Sequence, residues 1–420
     1  MIWLYRLFFW PMLLILLPAY LVKMFKRGGN WHLAERFGIV NPPAKKLGVK
    51  RLWLHAVSVG ELNAVKVLLQ QLKTRNDCEV MLSVTTTTAR KLADEKFKEL
   101  CAYIFTFPID VFSGCVFKRM QPDKLILMEE ELWPETLHQA AKRNVGVYLI
   151  NGRVSDRSFK RMMALRWAIQ RLLRKVTRIM TATAQDTDRY LSLGANRELV
   201  YQTGSLKFDA PVGAPLDEAT RKSLLDSLGF SPTDTIIIGA STWAGEEETL
   251  LNAYAGIRDE FPGLKLLVVP RHAERRDEAE AAFKKSGISY HRRSAGAVSG
   301  RPDAILADTT GELSKLIQLA NVVFVGRSLP PHKEGQTPIE AGAAGKPVLM
   351  GPGMSNFKLI AQSLVDEGGG IFVGGEATLK EELRKLLSDP EKRNRMGERS
   401  RAWFEKNRGA TEKTLESLDL

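Results

Sequence analysis

Three successive carboxylates end an apolar run in the segment LILMEEELWPE (125–135). If the chain is extended there, the side chains of Glu129 and Glu131 point to one face and that of Glu130 to the other. Such a pair could hold a metal ion as a DxD motif does, or could be surface charge beside a helix start. Histidines are few and show no HExxH spacing, so we expect no catalytic metal.

A further carboxylate, Glu35, lies in GGNWHLAERFGIV (28–40), directly after an apolar N-terminus. It is adjacent to Arg36. The residues by themselves therefore indicate only an ion pair on a short helix.

Two loops with small residues follow predicted strands, in HAVSVGEL (55–62) and GASTWAGEEE (239–248). Ser58, Gly60 and Glu61 form the first loop, and Ser241 and Thr242 belong to the second. Backbone N–H groups at a helix start attract phosphate or carboxylate, although many such turns only connect two elements. The chain has no GxGxxG or Walker A sequence, so we expect neither a dinucleotide nor ATP.

Candidate ligand contacts are densest in the C-terminal half. In VVPRHAERR (268–276), Arg271 could pair with a phosphate through its fork of donors, or be a surface arginine near a helix start. In GRSLPPHKEGQTPIEAGAAGKPVLMGPGMSNF (326–357), Glu340 lies in the first turns of a short helix, where a carboxylate can grip the hydroxyls of a ribose. The helix start at 335–338 can face a phosphate.

These segments need a scaffold, and the hydrophobic pattern predicts one. From residue 50, the apolar runs RLWLHAV, CEVMLSV, AYIFTFPI, KLILME, VGVYLIN and RIMTAT alternate with amphipathic stretches, and a second series follows from TIIIGAS to GIFVGG. Strands that alternate with helices predict a parallel sheet covered on both faces. We therefore expect an α/β fold of two doubly wound domains facing a cleft, joined by a linker at Pro211, Gly213 and Pro215.

The composition bounds the class of protein and its partners. The 420 residues carry a net charge of +13, which favours an acidic partner: nucleic acid, an anionic membrane or a phosphorylated substrate. Cys78, Cys101 and Cys115 are odd in number and lack CxxC spacing. We therefore expect neither a disulfide framework nor a zinc site, and a reducing compartment.

The N-terminus is typical of a membrane anchor. An uncharged apolar run extends from Leu7 to Val22, with aromatic residues before it and Lys23, Lys26 and Arg27 after it. The run is slightly short for a spanning helix, so the anchor could span the bilayer or lie in its interface; a buried hydrophobic arm is the alternative. The basic flank predicts that the body of the protein is cytoplasmic.

A basic stretch, RVSDRSFKRMMALRWAIQRLLRKVTR (153–178), is the other candidate for membrane contact. It is either a solvated face or a surface for anionic lipid, and the apolar N-terminus favours lipid. Nucleic acid is a weaker alternative, since no recognised binding motif is present.

The segments AERFG, HAVSVGE, MEEELWP, NGRVS, GSLKFD, VPRHAER, DTTGEL and PIEAGAAGKPVLMGP…NF occur in this order. Together they resemble the 3-deoxy-D-manno-octulosonic acid (Kdo) transferases over nearly the whole chain. The resemblance implies a GT-B glycosyltransferase with two Rossmann-like domains, which moves Kdo from CMP-Kdo to a lipid A precursor with inversion and without metal or other cofactor. It also implies the cytoplasmic face of the inner membrane of a Gram-negative bacterium. The domains would be an anchor over 1–27, an acceptor domain over 28–207 and a CMP-Kdo domain over 208–420, whose last helix could pack back on the acceptor domain.

The resemblance assigns roles to individual residues. Glu35 matches the general base, which takes the proton of the acceptor hydroxyl. Acceptor binding falls to Ser58, Gly60, Glu61, Glu129, Glu131 and Lys207. CMP-Kdo binding falls to Ser241, Thr242, Arg271, His272, Gly326, Gly335, Glu340 and Asn356, with Arg271 neutralising the leaving phosphate in place of a metal.

Two positions depart from the family pattern. Thr337 precedes Pro338 where the family often has Asn, and the loop after the first strand of the second domain reads Thr-Trp-Ala-Gly (242–245) where the family often has Thr-His-Glu-Gly. Trp243 could stack on a ligand or wall it off. Two alternatives to a transferase remain: a nucleotide-sugar epimerase or hydrolase of the same fold, and a membrane-docked nucleotide-binding module without activity.

Overall fold

The computed structural model of the protein describes residues 2–27 and 31–420. The chain forms two compact units, the first of Met1–Pro211 with Asn407–Leu420 and the second of Val212–Lys406.

A seven-stranded sheet forms the centre of the first unit. Its strands are β1 (Lys50–Ala56), β2 (Cys78–Val84), β3 (Tyr103–Thr106), β4 (Lys124–Met128), β5 (Gly146–Gly152), β6 (Arg178–Thr181) and β7 (Val200–Gln202). All neighbours are parallel, in the order β3-β2-β1-β4-β5-β6-β7. The order reverses between β1 and β4, and ligands bind beyond the carboxyl ends of the strands at such a switch point.

Helices cover both faces of this sheet. The helices of this unit are α1 (Ile2–Arg27), α2 (Leu33–Arg36), α3 (Val59–Lys73), α4 (Thr87–Lys96), α5 (Ser113–Met120), α6 (Pro134–Lys142), α7 (Asp156–Ala164), α8 (Arg166–Leu173) and α9 (Ala184–Ser192). Alternate residues of β1 enter opposite cores: Leu54 packs with Leu68 of α3, and Trp53 with Phe117 of α5. Both faces are buried, which explains the almost unbroken apolar run of this strand.

The second unit repeats this architecture. Its strands are β8 (Thr235–Thr242), β9 (Leu264–Pro270), β10 (Tyr290–Arg292), β11 (Ala304–Leu306), β12 (Val322–Val325), β13 (Val348–Met350) and β14 (Gly370–Phe372). They are parallel in the order β10-β11-β9-β8-β12-β13-β14, so the switch point lies between β8 and β12. The two parallel sheets, each with helices between its strands, confirm the predicted α/β fold class.

The helices of the second unit are α10 (Glu218–Ser227), α11 (Glu246–Ala255), α12 (Arg276–Ser286), α13 (Leu313–Leu319), α14 (Ile339–Ala343), α15 (Lys358–Asp366), α16 (Glu376–Ser388) and α17 (Pro390–Asn407). The last helix, α18 (Ala410–Ser417), belongs to the first unit. Asp209 holds its start by accepting the backbone N–H groups of Gly409 (2.8 Å) and Thr411 (2.6 Å).

The first turns of α1 are fixed to the start of α6. Arg6 donates to Glu135 from Nε (2.9 Å) and Nη2 (2.7 Å), and the hydroxyl of Tyr5 donates to Asp110 at 2.9 Å. Beyond these contacts the helix exposes large apolar side chains, namely Trp3, Leu4, Leu7, Phe8, Leu14 and Ile15. Within residues 2–27 and 31–420, no helix combines the length and apolarity needed to cross a bilayer. The side chains of Lys23, Lys26 and Arg27 lie outside the described residues.

The basic stretch 153–178 contributes α7, α8 and the first residue of β6. Its apolar residues divide into two groups. Leu172 and Leu173 are buried in the core, whereas Leu165 and Trp167 are more than half exposed. Leu165 and Trp167, together with Met163, which is 38% exposed, are available for contact with a partner.

Candidate active site

Glu35 lies on the four-residue helix α2, and its side chain is 16% exposed. Arg90 Nη1 of α4 donates to its Oε2 at 2.5 Å, and the backbone N–H of Thr106, at the end of β3, donates to the same oxygen at 2.6 Å. His32 Nδ1 is 3.8 Å from that oxygen. The carboxylate is therefore held, and its charge stabilised, by groups at the carboxyl edge of the sheet.

Arg36 is the neighbour that the sequence suggests as the ion-pair partner of Glu35. Its guanidinium is buried and donates to the carbonyl oxygens of Trp31 (3.3 Å) and Thr85 (3.0 Å). Arg36 thus ties α2 to the loop after β2, while Arg90 supplies the cation at Oε2 of Glu35.

Ser58 is the N-cap of α3, and the side chain of Glu61 binds back to the residues before the helix. The hydroxyl of Ser58 donates to Glu61 Oε1 (2.9 Å) and accepts the N–H of Glu61 (3.4 Å), while the N–H of Val57 donates to Glu61 Oε2 (2.8 Å). The bond from the N–H of Glu61 satisfies one of the donors that a helix start leaves open. A Cβ on Gly60 would meet only Ser58 Oγ, at 3.8 Å, so packing does not demand glycine there.

The three carboxylates after β4 form a turn, so the expected strand alternation does not apply to them. β4 ends at Met128, and Glu129 adopts a left-handed conformation with φ 54°. Glu130 accepts the hydroxyl of Ser158 at 2.8 Å, and Glu129 Oε1 lies 3.4 Å from Arg153 Nη1. Left-handed non-glycine residues cost of order 1–3 kcal/mol and cluster at functional sites.

A partly buried group of titratable side chains follows β1, β4 and β7. Burial raises the pKa of Glu131 to about 7, although the indole N–H of Trp133, at 2.6 Å, opposes this rise. Burial also raises the pKa of Glu61, and burial together with Arg153 lowers that of Lys207 to about 8. Glu131 and Lys207 therefore have pKa values near neutral pH, and such groups at the carboxyl ends of strands are suited to binding a polar acceptor or moving a proton.

The central loops of the second unit converge on one carboxylate. Glu246, the first residue of α11, is 1% exposed. Its Oε2 accepts the N–H groups of Trp243 (2.9 Å) and Arg327 (2.5 Å), and its Oε1 accepts those of Ser328 (2.8 Å) and Leu329 (3.0 Å). This side chain fixes the loop after β8 to the loop after β12.

Gly326, the first residue after β12, is demanded by packing. A Cβ there would lie 2.6 Å from both Ser241 O and Thr242 Cα. Ser241 and Arg327 are both left-handed, with φ 57°. The close approach of the two strand ends thus requires glycine at 326, and a residue with left-handed backbone lies on each side of the contact.

Trp243, one of the departures from the family pattern, is enclosed by cations. The guanidinium groups of Arg327 and Arg275 lie 4.5 Å and 5.2 Å from its ring centroid, and the ring of His272 meets it edge-on at 5.2 Å. Arg275 is in turn paired with the buried carboxylate of Glu247 at 3.1 Å. The indole therefore fills space between the arginines, and each contact of this type contributes about 0.5–2 kcal/mol.

Glu340 and Arg271 interact at the carboxyl edge of the second sheet. Burial raises the pKa of Glu340, and the positive charge of Arg271 opposes that rise. The backbone N–H of Arg271 donates to Thr242 O at 3.1 Å, which places the arginine next to the β8 loop while its side chain stays exposed.

Gly335 and Asn356 belong to two loops that contact each other. Gly335 has φ +69°, and a Cβ there would lie 2.5 Å from Met354 Sδ. The N–H of Asn356 donates to Glu334 O at 3.0 Å, and its side chain is exposed. Throughout residues 2–27 and 31–420, no group of three or more His, Cys, Asp or Glu is arranged to hold a metal ion.

Sequence reasoning missed Arg90, Glu246 and Arg275. Arg90 has no local signal, because Glu35 is 55 positions away. The position of Glu246 directly after Gly245 indicates only a helix start. Its role as an acceptor for the backbone N–H groups after β12 depends on a loop that is distant in sequence. Arg275 belongs to the VPRHAER motif, in which the neighbouring Arg271 drew the assignment.

Comparison with known proteins decides the family. Residues 31–210 match a family model described as 3-Deoxy-D-manno-octulosonic-acid transferase (kdotransferase), and residues 235–403 match Glycosyl transferases group 1. Over 410 residues the chain is 34% identical to a 3-deoxy-D-manno-octulosonic acid transferase of Bordetella pertussis, covering 94% of this chain and 93% of that protein. The chain belongs to the Kdo transferase family. It is also 33% identical to a Haemophilus influenzae enzyme of the same name, over 92% and 90% of the two chains. The Kdo transferase resemblance and the prediction of a glycosyltransferase are thereby confirmed.

The fold also resembles that of solved structures outside this family. The UDP-GlcNAc 2-epimerase of Neisseria meningitidis matches 88% of this chain and 99% of its own, with a TM-score of 0.60 and 14% identity. This likeness concerns the GT-B type of fold alone.

Proposed function

We propose that this Kdo transferase moves Kdo from CMP-Kdo to a lipid A precursor in the synthesis of the lipopolysaccharide core, with inversion and without a metal ion. The observation that carries the proposal is the 34% identity to a Kdo transferase over 94% of the chain. The polar groups at the switch points of both sheets support it, because ligands bind there in doubly wound folds.

On the donor side, Arg271 would meet the phosphate of CMP and Glu340 the ribose hydroxyls. The exposed guanidinium of Arg271 and the largely buried carboxylate of Glu340 interact at one edge. A fixed cation stabilises the charge that develops on the phosphate as the bond to Kdo breaks. Ser241, Thr242 and Gly326 would supply the backbone surface against which the nucleotide rests, with His272, Gly335 and Asn356 at its border.

On the acceptor side, Glu35 would be the general base. It takes the proton of the sugar hydroxyl as that oxygen forms its bond to the anomeric carbon and CMP departs with the electrons of the broken bond. Arg90 and Thr106 both donate to Oε2, so proton acceptance falls to Oε1. Glu61, Glu129, Glu131 and Lys207 would orient the acceptor.

Glu131 is a second candidate for the base, favoured by one observation. Its pKa is raised to about 7, and a base works best when its pKa is near the working pH. The two candidates separate in a pH profile, because Glu131→Gln would remove a titration near neutral pH.

We also propose that the enzyme works on the cytoplasmic face of the inner membrane. The exposed apolar residues of α1, such as Leu14 and Ile15, and those of α7–α8, such as Leu165 and Trp167, support this. Such residues bind the boundary of a bilayer when basic side chains lie around them.

The decisive assay measures CMP release from CMP-Kdo with and without a lipid A precursor, in buffer containing a chelator. Release that requires the lipid supports transfer. Release without lipid would indicate a hydrolase, and no release a binding module. Mass spectrometry of the product gives the number of Kdo units added.

Glu35→Gln tests the base assignment. We expect at least a 100-fold loss of turnover with CMP binding intact, since general-base catalysis contributes about 10²–10⁴-fold. Glu95→Gln is a matched control, because Glu95 is a half-exposed carboxylate on α4 that pairs only with Lys91 at 4.0 Å among the described residues. Wild-type turnover in Glu35→Gln would reject the assignment.

A further inference from the structure

A cavity of about 370 Å³ lies in the second unit at the amino ends of β12 and β13. Asn321 directly precedes β12, and Lys346 and Pro347 directly precede β13. One face of α17 completes the wall with Arg393 and Arg401. Because the strands are parallel, this is the edge of the sheet opposite to the one that carries the donor-site residues.

The backbone forms a tight junction at this cavity. A Cβ on Gly397 of α17 would lie 2.4 Å from Gly345 O, so the helix touches the turn before β13 directly. Arg401 donates to Ala343 O, the last residue of α14, and pairs with Glu405 at 2.7 Å. These contacts hold α17 against the turn before β13, and both elements contribute side chains to the wall of the cavity.

Positive charge dominates the lining. Lys346, Arg393 and Arg401 face one carboxylate, Glu398, which is exposed. Within the part of the chain that the structure describes, neither Lys346 nor Arg393 forms an ion pair with a carboxylate. Arg393 donates instead to Leu386 O, at 3.2 Å.

These cations are also withdrawn from water. Burial lowers the pKa of Lys346 to about 8, and the nearby cation Arg221 contributes to this shift. Burial lowers the pKa of Arg393 as well, although the negative charge of Asp389 opposes this shift. Partly buried cations that have no carboxylate in ion-pair contact among the described residues are unfavourable, and a bound anion would offset that cost.

A neutral donor adds to the cations. The side-chain oxygen of Asn321 accepts the N–H of Ile236 at 2.8 Å, which leaves the amide nitrogen of Asn321 as a donor. Lys346, the two arginines Arg393 and Arg401, and the amide of Asn321 around one cavity match the acceptor oxygens of a phosphate group.

We propose that this cavity binds a phosphate-bearing ligand, at a site separate from the donor site on the opposite edge of the same sheet. The phosphate belongs either to a free phosphorylated compound or to an anionic lipid headgroup.

The first test uses the full-length protein and inorganic pyrophosphate, and measures the thermal unfolding temperature across a concentration series. We expect a saturable rise in the wild type and at least tenfold weaker binding in the double variant Lys346→Gln/Arg393→Gln. Arg395→Gln is the matched control, since it removes the same charge from α17 at a side chain that is 60% exposed and outside the cavity. Without ligand, the double variant should unfold at or above the wild-type temperature, because it removes two partly buried cations whose loss of hydration is unfavourable.

The variant Arg271→Gln is a control that shows whether pyrophosphate binds at the donor site instead of the cavity. If Arg271→Gln abolishes the rise and the double variant keeps it, the proposal is overturned.

The second test compares flotation with vesicles of phosphatidylcholine and of phosphatidylcholine with phosphatidylglycerol. Loss of binding to the anionic vesicles in the double variant, without a pyrophosphate effect, identifies a headgroup as the ligand. A pyrophosphate effect alone identifies a free phosphate compound. Equal behaviour of wild type and double variant in both tests overturns the proposal.

Discussion

The carboxylate of Glu246 offers the sharpest test of how the second unit is built. Glu246→Ala removes the acceptor of four backbone N–H groups, from Trp243 and from 327–329. Each buried donor left unsatisfied costs about 1–3 kcal/mol. Water that enters the vacated space can bind these donors, so we take about 1 kcal/mol for each of the four, a loss of about 4 kcal/mol in the free energy of unfolding. For a unit of this size that loss lowers the unfolding temperature by roughly 8–16 °C.

The assay is thermal unfolding followed by circular dichroism, together with titration of CMP. We expect Glu246→Ala to lose CMP binding as well as stability, since the loops after β8 and β12 are no longer tied together. Glu246→Gln keeps one acceptor oxygen and should fall between the alanine variant and the wild type. Glu248→Ala is the control, because Glu248 is on the same helix but half exposed and paired with Lys285 at 2.6 Å. A difference of about 2 °C in unfolding temperature corresponds to about 1 kcal/mol or less in the free energy of unfolding. If Glu246→Ala unfolds within about 2 °C of that control, the four hydrogen bonds of Glu246 do not stabilise the second unit as inferred.

Three further predictions follow from the geometry. Burial raises the pKa of Glu131 to about 7 from about 4.3 in the unfolded chain, so the folded state holds an extra proton between these values and stability falls as pH rises through that window. The unfolding temperature should therefore drop less between pH 5 and pH 8 in Glu131→Gln, and an equal drop would contradict the assignment. Gly326→Ala should destabilise by about 1–3 kcal/mol through overpacking, whereas Gly60→Ala, where a Cβ has space, should unfold like the wild type. Trp243→His, which replaces the indole by a smaller ring, should cost about 1–2 kcal/mol through lost contact with Arg327, and a denaturant titration that shows no loss would exclude that contact as a source of stability.

The fold and the family are largely readable from the sequence. Apolar runs such as RLWLHAV and TIIIGAS give the strands, because parallel strands are buried on both faces and need no polar alternation. Small residues and acids at the ends of these runs indicate where ligands bind, since strand ends meet at one edge of a parallel sheet. The ordered motifs then indicate the family, which the relatives confirm.

The hydrogen-bond and ion-pair partners of the buried carboxylates are distant in sequence and are defined only by the tertiary structure. Glu35 stands beside Arg36 in the chain, yet Arg90 and Thr106 hold its carboxylate, because the ends of parallel strands bring residues far apart in sequence to one edge. Likewise, Glu246 is one of three adjacent acids in the sequence, and only the loop after β12 distinguishes it. Local sequence determines which residues form a strand or a helix; the side chain that becomes buried, and the group that neutralises it, depend on contacts that exist only when the sheet has assembled.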